Sequence, residues 1–95
     1  MNHIQLKQNH RLELNEARDR LSNLGETEAE RVQRFNIHLA WENSTRARIT
    51  AKGFQGILKI APTYCTVDGK LGFLARPFAG QIRTTIAEIM RNSLS

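Results

Sequence analysis

Apolar and polar residues alternate from His3 to Lys7, with Ile4 and Leu6 on one side and His3, Gln5 and Lys7 on the other. That is the period of a short strand with one buried face. From Leu14 the period lengthens. Leu14, Ala17, Leu21 and Leu24 recur every three or four residues, the apolar stripe of an amphipathic helix. Its start has two candidates: Asn15 by residue type, and Glu13 with Glu16 by capping-box spacing. Gly25 interrupts the stripe at a cost of about 1 kcal/mol relative to alanine. Thr27 followed by Glu30 is a capping box, so a further helical stretch is expected from there to about Arg34.

The period then returns to two. Ile37, Leu39 and Trp41 share one face of a strand that ends at the turn-forming Asn43-Ser44. Ala47, Ile49 and Ala51 line the inner face of the next strand, leaving Arg46, Arg48, Thr50 and Lys52 outside. Phe54, Leu58 and Ile60 point inward on a third strand, which Pro62-Thr63 terminates. Cys65, Val67 and Leu71 do so on the last, with Thr66, Asp68 and Lys70 outside. Four such runs joined by short turns describe an antiparallel meander. Pro77 suits the first turn of a closing helix, whose buried face is expected to carry Phe78, Ile82, Ile86, Ile89 and Met90. The pattern predicts an α+β fold in a single domain, residues 1–95. It is an antiparallel five-stranded sheet in the order β-α-β-β-β-β-α, with both helices packed on one face.

Ninety-five residues with 40% hydrophobic and 24% charged side chains fit one small folded core. No apolar run approaches the ~20 residues a membrane span needs, and MNHIQLKQNH is too polar for a signal peptide. One cysteine excludes an internal disulfide and a CxxC metal site. These features lead to the expectation of a cytoplasmic protein. The charge is uneven: residues 1–35 balance, whereas residues 36–95 carry eight basic and three acidic side chains and hence the whole net charge of +5. A positive half favours anionic partners.

Candidate catalytic chemistry is thin. His3, His10 and His38 lack a pairing or a nearby carboxylate at metal-ligand spacing. Cys65 lies on the inner side of its strand, where a free cysteine behaves as a small hydrophobe. Glu16 and Arg20 read as an exposed ion pair rather than as acid–base machinery. Gly53-Phe54-Gln55-Gly56 lacks the Lys-Ser/Thr of a phosphate loop and suits a turn or close packing. No catalytic residue, metal or cofactor is therefore expected. The outer sheet face offers more. Arg46, Arg48, Lys59 and Lys70 would gather there, opposed within the meander only by Asp68, with Ile57 as an apolar contact among them. Such a face suits an anionic partner or a second copy of the chain. Nucleic acid is an alternative, weakened by the lack of a stacking aromatic on the face. A small apolar-ligand carrier is another, although Trp41, Phe54, Ile60 and Ile86 are expected to fill the space such a pocket would need.

The ordered set of local motifs resembles a bacterial family. His10-Arg11-Leu12 and Glu16-Ala17-Arg18 are similar to its H-x-L…E-A-R opening, Gly53-Phe54-Gln55-Gly56 to its G-x-x-G, and Leu71-Gly72-Phe73-Leu74 with Pro77 and Gly80-Gln81-Ile82 to its LGFL…P…GxI close. This is the polyhydroxyalkanoic acid system family, and the resemblance runs from about residue 3 to residue 90. Asn43-Ser44-Thr45 departs from it, replacing a tighter Gly-Asp turn. The resemblance implies a bacterial accessory protein of polyhydroxyalkanoate metabolism, partnered by the polyester granule surface or by synthesis enzymes, and it brings no catalytic residues. Phe73 and Leu74, if exposed, are the apolar contact it points to.

Overall fold

The computed structural model describes residues 3–94. Strand β1 (His3–Asn9) is followed by three short helices, α1 (Leu14–Ser22), α2 (Leu24–Thr27) and α3 (Ala29–Phe35). A meander follows: β2 (His38–Asn43), β3 (Arg46–Ala51), β4 (Phe54–Ile60) and β5 (Tyr64–Leu71). A 3₁₀ segment, Phe73–Phe78, leads into the long helix α4 (Ala79–Leu94). The five strands are antiparallel in the order β1-β5-β4-β3-β2, so the chain crosses from one edge of the sheet to the other through α1–α3. This is the α+β architecture that the periodicity predicts.

One face of the sheet is sealed. Ile4, Ala47, Ile49, Phe54, Leu58, Val67 and Leu71 point toward the helices, and each is at most 5% exposed. Ala17 and Leu21 of α1 and Ile82, Ile86, Ile89 and Met90 of α4 close over them, all likewise buried. Burying a side chain of this size stabilises by about 1.5–3 kcal/mol. Trp41 departs from the expectation: it is only half-buried, because β2 is an edge strand, and the Arg18 guanidinium of α1 lies 4.9 Å above its ring.

The first helical region is more broken than the stripe implies. Glu13 is the residue before α1 and has extended backbone, but neither its side chain nor that of Asn15 caps the helix. Thr27 does not open a capping box. It lies inside α2, its hydroxyl donating to the Asn23 carbonyl at 3.2 Å, and α3 begins after Glu28. Asn36, at φ 54°, stops α3 in the left-handed conformation that asparagine tolerates. Phe78 leaves the α4 stripe altogether and is 57% exposed. Phe78 closes the 3₁₀ segment instead of opening α4, so the 3.6-residue period of Ile82 and Ile86 does not extend back to it.

Three turns fix the register. Asn43 Oδ1 accepts from the Thr45 amide at 2.9 Å, so Ser44-Thr45 alone bridge β2 and β3, with Glu42 bulged out of the ladder. The β4–β5 turn is held by buried His10, which bonds the Ala61 carbonyl through Nε2 at 2.9 Å while Nδ1 accepts from the Leu12 amide. Gly53, at φ +77°, makes the β3–β4 turn, and its carbonyl accepts from the Gly72 amide at 2.8 Å. Gly56 and Gly69 face each other across β4 and β5. A side chain at Gly69 would meet the Gln55 carbonyl and the Phe54 ring at 2.5 Å, so Gly69 makes the room that the ring occupies, whereas one at Gly56 would meet the Asp68 carbonyl at 2.6 Å. Replacing Gly69 by alanine should therefore destabilise by about 1–3 kcal/mol, the usual cost of overpacking. Gly80→Ala meets nothing within 4 Å and should stabilise by about 0.4–1 kcal/mol, by restricting the unfolded chain. Urea unfolding checks both, and equal midpoints for the two variants would contradict the packing described.

Candidate functional site

The most exposed apolar side chains lie together at one end of the molecule. Phe73, Leu74 and Phe78 are 77%, 85% and 57% exposed. Phe73 and Leu74 project because Ala75, next on the same 3₁₀ turn, is buried, its Cβ seated against Gly53 where a side chain at that position would have to be. Pinning Ala75 inward turns its neighbours out. Beside them runs an open cleft of about 540 Å³, walled by Phe35, Leu74, Phe78 and Ile82 and edged by Lys52. Arg76 lies 5.5 Å over the Phe73 ring, so the apolar tip has a cationic margin. Exposed apolar side chains gathered this way make the tip a candidate contact surface. The sequence pattern points to Phe73 and Leu74, but it places Phe78 in the core. The signal for Phe78 was Pro77, which precedes the true start of α4.

The outer face of the sheet holds the predicted basic residues in cross-strand rows. The register aligns His38, Thr50, Gln55, Lys70 and His3 in one row, and Ala40, Arg48, Ile57, Asp68 and Gln5 in the next. Arg46, Lys59, Thr66 and Lys7 form a third. Ile57 is half-buried at the centre. Asp68 is not the sole opposing acid. Glu42, pushed out by its bulge, accepts from Arg46 at 2.9 Å and from Arg48 at 3.4 Å. Both arginines are thus partly neutralised within the chain, although exposed pairs of this kind contribute only about 0–1 kcal/mol. Asp68 accepts from Gln5 and pairs with His3, a contact that β1–β5 pairing creates and sequence spacing does not show. Lys7 and Tyr64 also join this face, the ammonium 4.6 Å above the ring. The face therefore carries an aromatic that alternation along β5 would have revealed had its first residue been clear.

Chemistry of the enzymatic kind has few candidates. Among the described residues, no three His, Cys, Asp or Glu side chains gather as a metal site. The Cys65 thiol is fully buried between β4 and β1, and burial pushes its pKa up to about 12. Since the thiolate is the reactive form, Cys65 should resist a disulfide reagent at pH 8 in the native protein and react within minutes in strong denaturant. Rapid native labelling would contradict its placement.

Residues 4–94 match the family model described as "Putative polyhydroxyalkanoic acid system protein". No curated protein and no solved structure matches the chain. Among the described residues, no helix is long and apolar enough to cross a membrane.

Proposed function

We propose that the chain, which belongs to the polyhydroxyalkanoic acid system family, is a non-enzymatic accessory protein of polyhydroxyalkanoate metabolism that acts by contact with the granule surface. The family match supports the metabolic setting. The observation that carries the contact is the apolar tip, Phe73, Leu74 and Phe78, exposed around a buried Ala75. A storage polyester presents ester groups and aliphatic chains to water, and burying an exposed phenylalanine or leucine against such a surface gains about 1.5–3 kcal/mol each. The cleft beside Leu74 would receive an aliphatic segment, and Lys52 and Arg76 would stay at its wet margin, as long cationic side chains do. Synthesis enzymes exposed on the granule are the other partners this tip would meet.

The reading predicts that the purified protein co-sediments with washed polyhydroxyalkanoate granules and that most of the binding persists at 1 M NaCl, where the screening length falls to ~3 Å. Phe73→Ser with Leu74→Ser should lower binding at least tenfold without lowering stability, because both side chains are exposed. Absence of binding, or binding lost in salt and indifferent to the double substitution, would overturn it.

A further inference from the structure

A second surface lies at the other end of the strands, about five residues or 17 Å along β3 from the turn that holds the apolar tip. There the register sets Arg46 directly opposite Lys59, with Thr66 and Lys7 completing the row across β5 and β1. Like charges directly opposite one another on a sheet are destabilising. Glu42 relieves Arg46, but among the described residues no carboxylate lies within salt-bridge distance of Lys59 or Lys7. Two shallow depressions meet along this row and share Arg46, Lys59 and Thr66 as their common wall. One, of about 560 Å³, extends to Lys7 and Ile57. The other, of about 410 Å³, extends to Asn43 and Tyr64. The result is a groove across the strands with Arg46, Lys59 and Lys7 along its length and flat or apolar side chains at either side, the Asp68 carboxylate on its wall being engaged by His3 and Gln5.

We infer that this groove binds a single strand of nucleic acid, with Arg46, Lys59 and Lys7 on successive phosphates and Tyr64 stacking on a base. The strands are about 4.8 Å apart, so the three cations span about 14 Å, enough for two or three phosphates of an extended strand. Tyr64 supplies the aromatic platform that single-strand binding uses. Lys7 now covers its ring, and a stacking base would displace that ammonium toward the phosphate chain. Thr66, Thr45 and Asn43 add hydroxyl and amide groups suited to phosphate or sugar oxygens. A duplex fits less well, because its bases are stacked away from Tyr64. An acidic protein segment would use the cations but not the ring.

The test is fluorescence anisotropy with a labelled, mixed-sequence 15-nucleotide DNA strand at about 50 mM NaCl, where binding through phosphates is still strong. We expect measurable binding whose logarithm falls with the logarithm of salt at a slope of about −2, from about −0.7 for each of three phosphate contacts. Lys59→Ala should reduce that slope by about 0.7. Tyr64→Ala should weaken binding about fivefold to a hundredfold while leaving the slope in place. Both side chains are exposed, so the variants should fold as the parent does, which urea unfolding verifies. Absence of binding at low salt overturns the inference. So does tighter binding to a duplex of the same sequence, or equal competition by inorganic polyphosphate together with indifference to Tyr64→Ala. Because Phe73 and Leu74 are no part of this groove, failure here leaves the granule reading standing, and the reverse holds too.

Discussion

Gly53 has no side chain, and Ala75 occupies the space one would fill. That single close approach ties the β3–β4 turn to the segment leaving β5, and the Gly72 amide bonding to the Gly53 carbonyl fastens the same two stretches from the other side. The positive φ of Gly53 serves the turn itself, so one residue meets two demands that no L-side chain would satisfy together. The consequences spread outward. With Ala75 held inward, Phe73 and Leu74 on the same 3₁₀ turn face solvent, Phe78 is exposed at the end of the segment, and α4 starts at Ala79 with its apolar stripe already in phase with the sheet. The Phe35 carbonyl accepts from the Lys52 amide at 2.7 Å, which brings α3 to the same corner and builds the wall of the cleft.

The sheet gives the molecule two chemically different sides. Its inner face is filled by aliphatic side chains and one phenylalanine, with Gly69 leaving room for that ring. The outer face is a field of long polar side chains in which Glu42 and Asp68 offset part of the positive charge. Charge left over is not spread evenly: it concentrates in the row that holds Arg46 and Lys59 side by side. The apolar tip and this cationic row lie at opposite ends of the strands, so the two surfaces do not overlap. A chain of 95 residues thereby presents two separate exposed surfaces, one apolar and one cationic, on one core.

Much of the fold was legible because period-two alternation survives wherever one face is buried. Ala47 and Ile49, Phe54 and Leu58, and Cys65 and Val67 all point as their alternation requires. What could not be read came from contacts between residues far apart in sequence, or from local geometry that shares a pattern with something else. Thr27 and Glu30 have capping-box spacing, yet Thr27 sits inside a preceding turn that its own amide helps close. Phe78 has the spacing of a core residue, but a 3₁₀ segment obeys a different period from the helix it feeds. Of the candidate surfaces, the four basic residues were legible from strand alternation, and Phe73 and Leu74 from the motif they belong to. Glu42 was not, because a bulge re-aims it. The proximity of His3 to Asp68 and of Lys7 to Tyr64 was equally hidden, since both depend on β1 pairing with the last strand rather than with its neighbour in sequence.

In the proposed role, the tip around Ala75 is the surface that would meet the granule. Hydroxyl-radical footprinting of the protein, free and bound to washed polyhydroxyalkanoate granules, tests it at the side chains themselves. Oxidation of Phe73, Leu74 and Phe78 should fall several-fold on binding while Tyr64, at the far end of the strands, is oxidised as before. Protection of Tyr64 with an unchanged tip would contradict it.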